Sequence, residues 1–288
     1  VQAMRAVAPT ITIIATAHGG HSESPPEPWN RPLLEHYGDQ LEIMDIHTYV
    51  GVPSDAGYSP AEQAFLLSGI PLSYEQWIAE LRQDLLRREL PDVDVIVGEY
   101  NASINSGSRA MDRVADMLAY AGYLHAFMRQ GEYVVGANAT EYSVFNPRAG
   151  PFGLLHPRYD IFRTYAEQAG SHPLEATLET PVRQQPFKVG RDVLPMFNLP
   201  LVDAVVLRDP EDGSLGISLL NRNMTDAVTV EVALQGFQPD GEGRRYVFAG
   251  DPEGMMEEPV EVGPSFEVTL PAHSLSLYKV YPAERRLP

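Results

Sequence analysis

The sequence contains no cysteine in 288 residues. Disulfides and thiolate metal sites are therefore excluded. The compartment is not settled by this, since many secreted enzymes also lack cysteine. Basic residues are scarce: 21 Lys and Arg stand against 39 Asp and Glu, for a net charge of -18. That balance argues against nucleic acid or an anionic membrane as partner, since both need a basic surface. A neutral sugar polymer is compatible with it, and so is nearly any small molecule. No apolar run is long enough to span a bilayer. The segment Ile11 to Ala17 is apolar but short, with no small-residue cleavage site after it, and reads as a buried strand. There is no glycine-rich phosphate loop and no G-x-S-x-G elbow.

What remains is ordinary globular composition, 44% hydrophobic and 21% charged, enough for one large domain or two smaller ones. The chain opens at Val1 in a helical pattern (Val1, Met4, Val7), which leads us to expect a fragment or processed product. Short apolar strands then alternate with amphipathic stretches. Strands are expected at Thr10–Ala15, Leu41–His47, Val93–Val97 and Tyr133–Ala137. Helices are expected at Pro28–Tyr37, from Ser73 to Pro91, at Ser108–Arg129 and at Arg158–Ala169. Ser73 reads as an N-cap with Gln76 as its capping-box partner, Gly131 as a C-cap glycine and Gly170 as a helix stop. Met111, Met117 and Met128 on the long helix are most simply core filling.

Four successive strand–helix units imply a parallel sheet covered by helices. Near His172-Pro173 the pattern changes to strands and turns alone: Leu174–Glu179, Val202–Leu207, Leu215–Leu220, Val228–Leu234, Arg244–Phe248, Phe266–Leu270 and Leu275–Val280. Alternating strands at this spacing suggest an antiparallel β-sandwich. The expected division is therefore 1–172 and 173–288, an α/β part followed by an all-β part.

Glu99 is the sharpest chemical feature. It stands at the C-terminal end of an apolar strand, where parallel βα architectures build active sites. It is either a catalytic group or a capping residue for the next helix. Asp92 and Asp94 start the same strand and read as solvated. His47 occupies the matching place on the second strand. A lone histidine is usually a core residue bonded to a backbone carbonyl. Here two strands end in polar pairs, His47/Tyr49 and Glu99/Asn101, and convergence at one rim is what a site needs. Glu141, past the fourth strand, is either a third contributor or a solvated loop residue. His18, His21 and Glu23 form a loose cluster whose spacing fits no standard metal-ligand set. No metal or cofactor is expected.

Several stretches, in order, resemble α-L-arabinofuranosidases of glycoside hydrolase family 51. They are Ala3 to Ile11, Trp29 to Glu35, Met44-Asp45-Ile46-His47-Thr48-Tyr49, Val97-Gly98-Glu99-Tyr100-Asn101, Ala137-Asn138 with Glu141 and Asn146, His156-Pro157-Arg158-Tyr159, and Leu270 to Leu275. Each is weak alone; their order and spacing carry the likeness across almost the whole chain. The resemblance implies strands five to eight of a (β/α)8 TIM barrel followed by a β-sandwich. It implies a retaining glycosidase with Glu99 as nucleophile at the end of strand seven. His47 and Tyr49 would contact the substrate, an arabinose-bearing oligo- or polysaccharide, with Tyr100, Asn101 and Glu141 as further binding residues. The acid/base glutamate of that family lies in an Asn-Glu pair at the end of strand four, which would precede Val1.

Three positions depart from the family pattern: Tyr100 replaces the usual Trp, Gly98 the usual Asp, and Glu141 stands where Gln is usual. A retaining mechanism needs two carboxyl groups about 5–5.5 Å apart. Loss of the acid would cost roughly 10²–10⁴-fold in rate. A chain without it is expected to be inactive alone. Two other readings stay open: a non-catalytic carbohydrate-binding or structural homologue, and a glycosidase on xylosides or β-glucans. Four strands cannot close an eight-stranded barrel, so the open edges call for more chain, a partner or a homo-oligomer. With no signal peptide or membrane segment in this chain, the cytoplasm is favoured.

Overall fold

The computed structural model describes residues 1–18, 27–53, 57–105, 113–139, 157–185, 195–249 and 255–283. The first part is a four-stranded parallel sheet with helical crossovers. Strands β1 (Ile14–Thr16), β2 (Ile43–Pro53), β3 (Asp94–Asn105) and β4 (Val134–Ala139) lie side by side in chain order. A short helix α1 (Gln2–Val7) precedes them, and α2 (Glu27–Tyr37), α3 (Pro60–Arg87) and α4 (Arg113–Arg129) connect them.

One face of this sheet is dry. Met44, Ile46, Val95 and Val97 pack with Ile70, Tyr74, Ile78 and Leu85 of α3 and with Tyr120, Tyr123 and Phe127 of α4. The opposite face is open: Ile14 is 52% exposed, and Ile43 and Ile96 are only partly covered. Open apolar surface on a parallel sheet is unusual, because such sheets are normally covered on both faces.

Helix α3 corrects the expectation at Ser73. It starts at Pro60, capped by Ser59, whose hydroxyl accepts from the Glu62 backbone while the Glu62 carboxylate accepts from the Ser59 N–H. Ser73 and Gln76 are mid-helix residues. The helix runs through Pro71, whose ring sits against Gly122 of α4; a Cβ at Gly122 would lie 3.0 Å from that ring. The apolar stretch Ala64–Ile70 is buried in the core, and this packing outweighs the missing proline N–H. Gly131 is not in the left-handed region, so the expected C-cap is absent. Instead, α4 ends in a turn in which Gln130 N donates to the Ala126 and Phe127 carbonyls. Gly170 does stop its helix: α5 (Pro157–Thr164) widens into a π-turn over Tyr165–Ala169, and Gly170 follows at φ +86°. The Ser108 start expected for α4 and Met111 lie outside the described residues.

From His172 onward every regular element among the described residues is a strand. The main sheet has six antiparallel strands in the order β12-β11-β14-β9-β8-β5. These are β5 (His172–Leu174), β8 (Val202–Arg208), β9 (Leu215–Asn221), β11 (Pro239–Phe248), β12 (Met256–Glu261) and β14 (Ser274–Pro282). The pair β10 (Val228–Ala233) and β13 (Ser265–Leu270) covers one face, burying Leu215, Ile217, Leu219 and Tyr278 with Val268 and Leu270. Residues of α4 and α5 cover the other, with Met117, Leu118 and Ile161 against Leu220, Leu275 and Leu277. The central strands β9 and β14 are therefore buried along nearly their whole length, whereas β10 alternates.

The strand expected at Leu174–Glu179 shrinks to β5, because residues 175–181 find no ladder. A hairpin of β6 (Val182–Gln185) and β7 (Met196–Pro200), and the edge strand β12, were not anticipated. Among the described residues no helix is long and apolar enough to cross a membrane.

A buried polar cluster joins the two parts. Asp203 of β8 accepts from Arg222 Nη2 at 2.9 Å and Arg129 Nη1 at 2.9 Å, and lies 3.2 Å from His125 Nδ1. Arg129 is also bidentate to Glu75 of α3. Arg222 is fully buried and donates from Nε to the Ser68 carbonyl. His125 Nε2 faces the Tyr165 and Ser218 hydroxyls at 2.8 Å each.

Candidate active site

The open face of the parallel sheet changes character along the strands. Near the strand starts it carries Ile14, Ile43 and Ile96, the last level with Asp45. Further along it carries His47, Tyr49, Glu99 and Asn101, which fall midway along β2 and β3. Their ladder continues to Pro53 and Asn105, past the strand ends expected at His47 and Val97. On β2 this follows from simple alternation. Met44, Ile46 and Thr48 are buried on the helix side, which turns Asp45, His47 and Tyr49 to the open side.

On β3 alternation alone would put Glu99 on the wrong face. Val95 and Val97 are fully buried against the helices, and a regular strand would send residue 99 after them. The ladder slips instead. Ile46 pairs with Val97, but His47 pairs with Glu99, so Gly98 is the extra residue of a bulge. After the slip Tyr100 takes the buried side, and Glu99 stands beside His47 on the open one.

The Glu99 side chain is 47% exposed. The Tyr49 hydroxyl donates to Glu99 Oε2, and His47 Nδ1 lies 3.7 Å from the same oxygen. The other ring nitrogen, His47 Nε2, lies 3.2 Å from Asp45 Oδ2. Asn101 pairs in register with Tyr49, and its side-chain oxygen accepts from the Tyr120 hydroxyl at 2.8 Å, which fixes the amide. This is an ionisable carboxylate that is accessible, held by the Tyr49 hydroxyl and flanked by the His47 ring. Chemically it suits attack on an electrophilic carbon.

Of the residues singled out in the sequence, the structure thus brings together Glu99, His47, Tyr49 and Asn101. Tyr100 is a correction. It has no accessible surface and packs among Tyr120, Tyr123 and Phe127 on the helix side, so it offers a ligand nothing to touch. Glu141, His21 and Glu23 lie outside the described residues. His18 is held through its backbone by a reciprocal pair of bonds with Asn30, at 2.8 and 3.0 Å. Two members of the site were missed. Asp45 shares the open face with His47 and Tyr49 by the period of two, a signal present in the sequence. Gly98 is a glycine inside a strand, itself a bulge signal.

No family model matches the chain, and no curated protein matches it in sequence. Solved structures do match in fold. A crystal structure of an arabinofuranosidase superposes with TM-score 0.78 at 19% identity, over 97% of this chain and 60% of the other. The α-L-arabinofuranosidase from Thermotoga maritima, solved with arabinose, gives 0.74 at 19% identity, over 97% and 60%. CelM2, a bifunctional glucanase-xylanase from a metagenome library, gives 0.59 at 18% identity, over 88% and 46%. At these identities the likeness is one of fold. The chain spans about 60% of the length of the arabinofuranosidases it matches.

Proposed function

We propose that this chain carries the nucleophile side of a retaining glycoside hydrolase site acting on α-L-arabinofuranosyl residues, with Glu99 as nucleophile. The observation that carries the reading is the bulge at Gly98. It departs from regular strand geometry with the effect of presenting one carboxylate, beside His47 and Tyr49, on the open face of a parallel sheet. The fold likeness to arabinofuranosidases supports the sugar. In this reading residues 1–172 are the second half of a (β/α)8 barrel, and residues 173–288 form a β-sandwich. The open apolar face around Ile14, Ile43 and Ile96 supports the half-barrel, since a closed barrel would fill it.

In the first step a Glu99 oxygen attacks the anomeric carbon as the glycosidic oxygen leaves, and a covalent glycosyl ester forms. Water then attacks that carbon and releases the sugar with its configuration retained. Tyr49 donates to the Glu99 carboxylate, and His47 and Asn101 supply further polar contacts for the sugar. The acid/base is assigned to the elements that cover the open face, because Asp45 stands on the same face as Glu99 and is turned to His47.

The test is a mechanism-based 2-fluoro arabinosyl probe on the longer protein, read by peptide mass spectrometry. An adduct on Glu99, absent from Glu99→Gln, is expected, together with loss of turnover by about 10³-fold or more. Binding without an adduct would instead identify a carbohydrate-binding homologue. An adduct elsewhere would move the nucleophile.

A further inference from the structure

Behind Glu99 stands a second carboxylate that the mechanism above leaves without a task. Asp45 lies two residues before His47 on the same face of β2, and its side chain is 22% exposed. Its Oδ2 meets His47 Nε2 at 3.2 Å; its Oδ1 is buried and has no hydrogen-bond partner among the described residues. The space it occupies exists because residue 98 has no side chain. A Cβ at Gly98 would fall 2.1 Å from Asp45 Oδ1, 2.8 Å from its Cγ and 2.9 Å from His47 Nε2. Real carbon contacts do not reach such distances, so any other residue at 98 would expel the Asp45–His47 pair. One glycine thus does two things: it turns Glu99 to the open face and leaves room for the group that holds Glu99's neighbour.

We propose that Asp45 is a positioning residue that fixes the ring of His47, and through it the Glu99 carboxylate, in the attacking geometry. This rests on the reading of Glu99 as nucleophile. A carboxylate only accepts, so the ring nitrogen facing Asp45 carries the proton. The bond made by one imidazole nitrogen sets the orientation and the role of the other. With Nε2–H held by Asp45, the ring is fixed with its Nδ1 edge 3.7 Å from Glu99 Oε2, a van der Waals contact and not a hydrogen bond. Tyr49 donates to the same oxygen from its hydroxyl. The nucleophile is thereby held by the Tyr49 hydrogen bond and bounded on its other side by the fixed ring, and a misplacement of about 1 Å at such a centre costs on the order of 10²-fold in rate.

Asp45→Asn keeps the shape and removes the charge; Asp45→Ala removes the acceptor. In the longer protein, both should label Glu99 with the 2-fluoro probe about 10²-fold more slowly. Reversible binding of arabinose should weaken far less than labelling slows, since His47 is one of several polar contacts to the sugar while the attack depends on the Glu99 geometry, and the thermal midpoint should hold. The ring Nε2–H of His47, observed by nitrogen-edited NMR, should be present in the parent and absent in Asp45→Ala. Labelling at the parental rate with an unchanged Nε2–H signal would overturn the inference while leaving the nucleophile reading intact. Equal losses in arabinose binding and labelling would also overturn it, since they would make Asp45 a sugar contact. If the parent itself is not labelled at Glu99, the nucleophile reading fails, and the NMR signal alone still reports whether Asp45 holds His47.

Discussion

Gly98 concentrates the chemistry of this protein in a residue without a side chain. In the sequence it looks like a blemish in an apolar strand, and it differs from the aspartate usual in the resembling family. In the structure its missing Cβ is what Asp45 and His47 pack against. Gly98→Ala should therefore be far more damaging than its size suggests. The added methyl cannot be relieved without moving the Asp45 carboxylate or the backbone of the bulge, and overpacking of this kind typically costs about 1–3 kcal/mol. On the reading of Glu99 as nucleophile, its labelling by the 2-fluoro probe should slow by at least about tenfold, and Asp45→Ala in the same chain should relieve the clash. If the double variant is as destabilised relative to Asp45→Ala as Gly98→Ala is relative to the parent, the two residues are not coupled. The quartet of Glu99, His47, Tyr49 and Asn101 was legible as polar residues following apolar strand segments, although both strands run on past them. The faces of His47 and Tyr49 follow from alternation; those of Glu99 and Asn101 do not, because a one-residue bulge reverses the face of everything after it.

At the level of elements, α3 shows where local signals mislead. Ser73 with Gln76 has the residue types of a capping box, but the helix starts earlier, at Pro60 behind Ser59 and Glu62. It runs through Pro71, because Ala64 to Ile70 have a core to enter and Gly122 leaves space for the ring. Ser59→Ala should destabilise the chain by about 1 kcal/mol, as loss of an N-cap does, and lower the thermal midpoint by roughly 2–4 °C. Ser73→Ala should change the midpoint by less than a degree or so, within the ±0.5 kcal/mol of ordinary substitutions. Equal effects would restore Ser73 as a cap. The strands β9 and β14 were easier to read: their long apolar runs follow from burial on both faces, and only their partners required the structure.

For the molecule as a whole, the Asp203 cluster couples the helical part to the antiparallel sheet and should make its stability depend on pH. Burial lowers the proton affinity of His125; its hydrogen bond to Asp203 opposes this, and the net shift is downward. Burial would raise the Asp203 carboxyl, but the Arg222 guanidinium, the bond from His125 and Arg129 outweigh it and hold it well below the usual carboxylate range. Both groups thus bind protons less readily folded than unfolded, so stability rises with pH over their windows. The His125 contribution is complete above its ordinary value of about 6.5 and is lost as pH falls below it; the Asp203 contribution begins to go below about 4. Denaturant unfolding of the chain should therefore weaken from pH 7 to pH 5, and His125→Gln should flatten that slope. An unchanged slope in the variant would assign the loss to other groups.

Several features were determined by the sequence alone. They are the alternation of strands with helices up to residue 172, the switch to strands beyond it, and the placing of Glu99 on a strand, though midway along Asp94–Asn105 and not at its end. All depend on local periodicity and on residues within one turn or one strand of each other. The tertiary structure decided the rest: the slip of register at Gly98, the pairing of Asp45 with His47, the removal of Tyr100 from the rim, and the meeting of Asp203 with Arg222 and His125. Each of these arises between segments that are distant in the chain or from a ladder that only neighbouring strands can set. Burial and close packing, rather than local preference, choose among the options there.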